Sequence, residues 1–196
     1  MTGPGVWLPH SRPQAGLSLA VGVGLNTAIF NGVSVPELFA WKEQAHSFAA
    51  LGALVNSAVD FGAEQNANPL SACRGTPGFL QALGVQPLLG RLFTDAEDEM
   101  DNPAAVLLIS HRLWLRRFGE AKEILTRKVP VNGQSTTIAG VMPPDFRITD
   151  ETGDNWASLP LNRFQLRGSA RYLTVAARLK PGIARQQAQS EMACHS

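Results

Sequence analysis

The chain has 196 residues, of which 44% are hydrophobic and 17% charged, and its formal net charge is +1. Charge below the usual quarter, with an ample apolar share, supports a packed core and excludes an intrinsically disordered chain. A charge near zero also removes any global attraction to nucleic acid or to anionic lipid.

The first 14 residues are rich in Pro and Gly and read as irregular. From Ala15 to Val35 runs AGLSLAVGVGLNTAIFNGVSV, which reaches the length of about 20 residues that a bilayer-spanning helix needs. Gly16, Ala20, Gly24, Ala28 and Gly32 recur every fourth residue, so on a helix they share one row. A row of small residues lets a second helix approach closely, as membrane helices do. The spacing predicts a transmembrane helix over 15–35. A secretory signal with Leu17–Leu25 as its apolar core, or a buried soluble segment, are the other readings of the same residues. Gly22-Val-Gly24-Leu-Asn26 lacks the third glycine of a dinucleotide loop and no strand precedes it, so no cofactor is expected there.

Ser34-Val-Pro-Glu37 has the form of a capping box and opens a predicted helix carrying Leu38, Trp41, Ala45 and Phe48 at helical spacing. Leu51–Phe61 reads as a strand with Gly52 near its start, 62–69 as a polar loop, and Leu70–Arg74 as a second strand. Thr76-Pro77 opens a short helix that Gly84 ends. Thr94 with Glu97 forms another capping box at the head of an acidic turn. Ala104–Ile109 is a short aliphatic strand; Ser110 then caps a helix with Leu113, Trp114 and Phe118, closed by Gly119. Asn132-Gly133 lies between Val129–Val131 and Thr136–Val141, which predicts a tight hairpin because both turn residues must accept positive φ. Pro130 removes a ladder donor and restricts its strand to a sheet edge. Trp156–Leu161 and Arg171–Leu179 follow as strands, with Thr174, Ala176 and Arg178 on one face, and Ile183–Cys194 as a terminal helix.

The residues offer little chemistry. His10, His46, His111 and His195 are scattered, and Cys73 and Cys194 stand in no CxxC pattern, so no metal site is expected. A single bridge between the two cysteines stays open. Ser110 precedes His111, but no Gly-x-Ser-x-Gly elbow surrounds it, and a helix cap is the expected role. The acidic run Asp95, Glu97, Asp98, Glu99, Asp101 lacks the alternating ligands and glycine of a calcium loop and reads as solvated. Arg112, Arg116 and Arg117, with Lys122, Arg127 and Lys128, form a basic cluster whose helix face either pairs with the acidic turn or docks a protein. Trp41 and Trp114 fall at core positions, whereas Trp156 is expected as an exposed contact.

Taken in order, GLNTAIFNGV, FAWKEQAHSFAAL, TPGFLQALGVQPLLGRLFTDAED, VLLISHRLWLRRFG, VNGQSTTIAGVMPPDFR and VAARLKPGIARQQAQSEM cover nearly the whole chain. Together they resemble the first membrane helix and extracytoplasmic core domain of MacB-like ABC-transporter permeases, and most resemble the branch of orphan permeases abundant in acidobacteria. The resemblance implies an α+β architecture: residues 1–14 irregular, 15–35 a membrane helix, and 36–196 a mixed α/β periplasmic core domain. It implies a non-catalytic, cofactor-free domain at the bacterial inner membrane that relays movement of permease helices driven by a separate ATPase subunit. The partners it implies are the membrane and other permease subunits, with no nucleic acid and no small-molecule site. The family places a Pro-rich connector and a strand before the FAWKEQ-like helix and continues past the last helix seen here. A domain incomplete at its C-terminus and missing that strand is therefore expected, and an exported interaction domain or a non-functional permease fragment are the competing readings.

Overall fold

The computed structural model describes residues 27–59, 70–98, 105–147, 154–161 and 170–193. The strands are β1 (Thr27–Val33), β2 (Phe48–Val59), β3 (Leu70–Gly75), β4 (Leu89–Gly90), β5 (Val106–Ile109), β6 (Lys128–Val131), β7 (Gln134–Val141), β8 (Asn155–Ser158) and β9 (Leu173–Leu179). The helices are α1 (Val35–Gln44), α2 (Pro77–Leu83), α3 (His111–Phe118) and α4 (Arg185–Ala193). All nine strands join one mixed sheet in the order β1-β9-β2-β3-β8-β5-β7-β4, with β6 paired to β7.

The first strand corrects the C-terminal part of the expected membrane helix; residues 15–26 lie outside the described residues. Thr27–Val33 pairs antiparallel with β9, from Thr27 opposite Arg178 to Val33 opposite Leu173. Thr27, Ile29, Phe30 and Val33 are the branched and aromatic residues that suit a pleated surface. Gly32 takes φ +68° where the register slips, a conformation glycine adopts without strain. Ala28 and Gly32 thus lie in a strand and cannot belong to a helical row. Gly16, Ala20 and Gly24 lie outside the described residues. The strand expected to be missing before α1 is present, and it is part of the sheet. Among the described residues, no helix is long and apolar enough to cross a membrane.

Local chemistry sets most other elements as read, although α1 ends at Gln44 and Phe48, expected on that helix, opens β2. Ser34 Oγ accepts from Glu37 N, and Ser34 N donates to Glu37 Oε2 at 2.8 Å, closing the capping box of α1. Arg171 reaches back from the approach to β9 to Glu37 at 2.9 Å. Burial by itself raises the Glu37 pKa, but the Ser34 donors and Arg171 outweigh it and hold the carboxyl below its ordinary range. Asn132 and Gly133 turn the β6–β7 hairpin at φ 49° and 77°. Pro130 falls in β6, which among the described residues pairs with β7 alone, so its missing N–H faces none of the described strands.

Side-chain alternation divides the core by face. On one face, α1 and α4 cover the β1-β9-β2 half through Val33, Leu38, Trp41, Ala53, Leu173, Val175 and Met192. On the same face, α3 and the 3₁₀ turn Lys122–Leu125 cover the β5-β7 half through Leu107, Ile109, Leu113, Trp114, Ile124 and Ile138. The opposite face carries α2, with Leu54, Cys73, Phe79, Leu80, Leu108, Met142 and Trp156 in one cluster that spans both halves. The helix lies on β2 unusually closely. A Cβ added at Gly52 would collide with Phe79 N and Gly78 C and sit 2.6 Å from Thr76 Oγ1. The contact is locked by Ala53 N donating to Thr76 Oγ1 at 3.0 Å and Thr76 N donating to Ala53 O at 2.9 Å. At the other end of α2, the Ala82 carbonyl accepts from both Thr27 Oγ1 and Arg178 Nε, which ties the helix C-terminus to β1 and β9.

Candidate functional site

The basic cluster on α3 is the candidate site that the sequence singled out, and its geometry follows from two strands meeting. β5 delivers Ser110 and α3; β8 runs antiparallel beside it with Ile109 opposite Asn155, which brings Asp154 against the start of the helix. Ser110 N donates to the Asp154 carbonyl at 2.7 Å. Ser110 Oγ donates to Asp154 Oδ1 at 3.1 Å while accepting from Leu113 N at 3.0 Å. Arg112 Nε lies 2.9 Å from Asp154 Oδ1, its terminal nitrogen 2.7 Å away, and Arg116 reaches Oδ2 at 3.4 Å. A nearly buried carboxylate, its side chain 10% exposed, therefore holds two guanidinium groups that remain 63% and 56% exposed.

What results is an ordered, cationic helix face flanked by an exposed apolar residue. Leu115 is 40% exposed between the two arginines along α3, and Arg117 is exposed on the same helix. Fixing Arg112 and Arg116 on one carboxylate removes rotamer freedom ahead of any docking event, which lowers the entropy lost on contact. Among the described residues, the partner of Arg112 and Arg116 is thus Asp154; Glu99 and Asp101 of the acidic turn lie outside them. In that turn, Glu97 forms a two-pronged pair with Arg91 at 2.6 and 2.7 Å. Hydrogen bonding from Arg91 chiefly, against the opposing effect of burial and with help from Thr94 N–H, lowers the Glu97 pKa to about 2.

The remaining expectations fall into place around this arrangement. Ser110 is a cap, with its hydroxyl committed to Leu113 N and Asp154, and His111 stands edge-on to the Trp114 ring at 5.7 Å. Trp41 and Trp114 are core residues as expected, and Trp114 Nε1 donates to Ala121 O at 3.0 Å. Trp156 is not an exposed contact: it is 2% exposed, because the alternation of β8 turns it into the α2-side cluster, where it packs on Phe146. Cys73 is buried in β3, where its thiol donates to Asn56 Oδ1 at 3.6 Å, and Cys194 lies outside the described residues. Among the described residues, no group of three His, Cys, Asp or Glu side chains is placed to hold a metal ion. Asp154 itself was missed. It is 42 positions from Arg112, and only the pairing of β8 beside β5 brings them together.

The fold is that of a known class of extracytoplasmic transporter domain. Residues 10–193 match the MacB-like periplasmic core domain, and the chain belongs to that family. It is similar to the periplasmic region of MacB from Actinobacillus actinomycetemcomitans, at TM-score 0.63 and 15% identity over 87% of this chain and 82% of that one. A domain assigned to a permease protein from Porphyromonas gingivalis superposes at TM-score 0.59 with 19% identity, covering 87% and 84% of the two chains. The extracellular domain of the noncanonic ABC-type transporter YknZ from Gram-positive bacteria gives TM-score 0.56 and 15% identity, covering 85% and 88%. No curated protein matches the sequence.

Proposed function

We propose that this domain works outside the cytoplasmic membrane as the moving-contact part of an ABC-type permease, relaying displacement of membrane helices to a partner protein without chemistry of its own. The observation that carries the reading is the continuity of the sheet. Strand β1, where the described chain begins, and the end of β9 lie side by side at one edge, and hydrogen-bonded strands connect them without interruption to β8 and β5, which present α3. A displacement applied at the β1–β9 edge is passed through packed backbone rather than absorbed by a linker, since packed interiors transmit strain. The docking surface in this reading is Arg112, Leu115 and Arg116, with Arg117 at its margin.

Membrane association takes a different form from the helix over 15–35. With Thr27–Val33 in the sheet, the apolar run ahead of it is Ala15–Leu25, about half of what a full span requires. Attachment in this reading depends on other helices of the permease. The test is topology in cells. The full chain, tagged and produced in a bacterium, is expected to be digested by protease added to intact spheroplasts, and a photo-crosslinker at position 115 is expected to capture a permease-associated protein identified by mass spectrometry. Complete protection of the domain until the cytoplasmic membrane is broken would refute the reading.

A further inference from the structure

Between the two helical layers on one face of the sheet, a groove of about 300 Å³ is left uncovered. Its floor is Arg74 of β3, Leu107 of β5 and Ala157 of β8; its walls include Ser57 of β2 and Gln134 and Thr136 of the β6–β7 hairpin. Arg74 is the sole charged residue in the described lining. It is unusual in its place: a cation in an interior strand, paired on both sides by β2 and β8, on a face where its neighbours in the same register are Val55 and Ala157. Arg74 Nε donates to the Ser158 carbonyl at 3.1 Å, which fixes the plane of the guanidinium. Among the described residues, nothing pairs with its two terminal nitrogens.

We infer that this groove binds a carboxylate, held by the terminal fork of Arg74. The fork presents two parallel N–H donors in the spacing of a carboxylate's two oxygens, and such bidentate pairs are stronger and more directional than neutral hydrogen bonds. The rim supplies neutral hydroxyl and amide groups from Ser57, Gln134 and Thr136, which suit the polar remainder of a small ligand. One cation with no second basic group and no helix N-terminus in the described lining matches a singly charged anion; a phosphate dianion would leave a charge without a partner. The volume lies at the lower end of the ~300–1,000 Å³ typical of ligand sites, so the group enclosed is the size of an amino acid or a short diacid.

The shared chemistry has two sources, a free small carboxylate or the C-terminus of a peptide, and the experiment separates them. The full-length chain, labelled for observation of arginine Nε–Hε signals, is titrated with glutarate, with N-acetyl-glycylglycine, with the amide counterpart of each, and with inorganic phosphate. The expected result is a saturable shift of the Arg74 signal and of the Ser57 and Gln134 amides with at least one acid and with neither amide. Tighter binding of glutarate assigns the small-molecule source, and tighter binding of the peptide assigns a chain terminus. Arg74→Gln should weaken the response about tenfold or more at the Ser57 and Gln134 amides, and Arg74→Lys, which keeps the charge but not the fork, by a smaller factor. No saturation up to about 50 mM, phosphate binding as tightly as either acid, or an unchanged affinity in Arg74→Lys would each overturn the assignment; 50 mM is well beyond the mM range of weak specific sites.

Discussion

Replacing Gly52 by alanine tests the close seat of α2 on β2. The new methyl would collide with backbone atoms of Phe79 and Gly78 and stand 2.6 Å from Thr76 Oγ1. Backbone cannot swing aside as a flexible side chain does, so the first turn of α2 must lift from the strand. Overpacking of this kind costs about 1–3 kcal/mol. Lifting the turn also stretches the two Thr76–Ala53 hydrogen bonds, each worth roughly 1 kcal/mol in net terms. Against this stands roughly 0.5–1 kcal/mol recovered because alanine is less free than glycine in the unfolded chain. The expected net loss is about 3 kcal/mol, a large share of a total stability of about 5–15 kcal/mol. At about 2–4 °C per kcal/mol for a domain of this size, the melting temperature should fall by about 6–12 °C. Gly78→Ala meets the Leu51 carbonyl from the opposite side of the same gap. The double variant should therefore cost clearly less than the sum, since the first methyl already parts the two elements. Urea titrations followed by tryptophan fluorescence, with thermal melts by circular dichroism, measure all three variants. A Gly52→Ala protein within about 1 kcal/mol of the parent, or strict additivity with Gly78→Ala, would refute this account of the seat.

Three further outcomes are expected. Asp154→Ala removes the shared acceptor of Ser110, Arg112 and Arg116 and should cost about 2 kcal/mol in urea denaturation. Arg112→Ala, which alters a largely exposed partner, should cost under about 1 kcal/mol. Glu97 has a folded pKa of about 2 against an ordinary 4.5, so its contribution is complete above about pH 5 and is lost as pH falls through that window. Because Arg91 is half exposed, the contribution is roughly 1 kcal/mol, and the parent's advantage over Glu97→Gln at about pH 6 should shrink by more than half at about pH 3 in paired urea titrations. Asn155 is fully buried in β8 with no partner for either atom of its amide. Asn155→Val removes that desolvated group and suits a strand, so a gain of about 1 kcal/mol in thermal or urea unfolding is expected.

The sequence exposed those elements whose cause is local. The capping box at Ser34 and Glu37, the cap at Ser110, the left-handed Gly84 and Gly119 and the Asn132-Gly133 turn each depend on residues within a few positions, and each is found. Pro130 likewise announced an edge. Non-local pairing was hidden. Small residues four apart make a helical row, but four is also an even number, and the Thr, Ile, Phe and Val of Thr27–Val33 take a strand once β9 is available beside them. At Ala28 and Gly32 the row therefore misled, because the deciding partner, β9, lies far along the chain at Leu173–Leu179. Trp156 was misplaced by its loop-rich flanks, whereas its depth is set by the neighbours β3 and β5. The arginines of α3 were visible as a helical pair, but the carboxylate that orders them comes from the approach to another strand. Gly52 signalled a close approach without saying what approached.

The strand order has a bearing on how such a domain is made. β9 inserts between β1 and β2, so the first of the described strands to emerge from the ribosome lacks this neighbour until the last of them has been synthesised. At about 5–20 residues per second, β1 waits for many seconds with its backbone unpaired. Pairing of β1 with β9 is thus a late event, and it is intrinsically slow because the intervening stretch is so long. For a domain that works outside the cytoplasmic membrane, as proposed above, this timing suits passage through a translocation channel. The sheet cannot close on β1 while β9 is still inside, so this half stays pliable until that strand has passed.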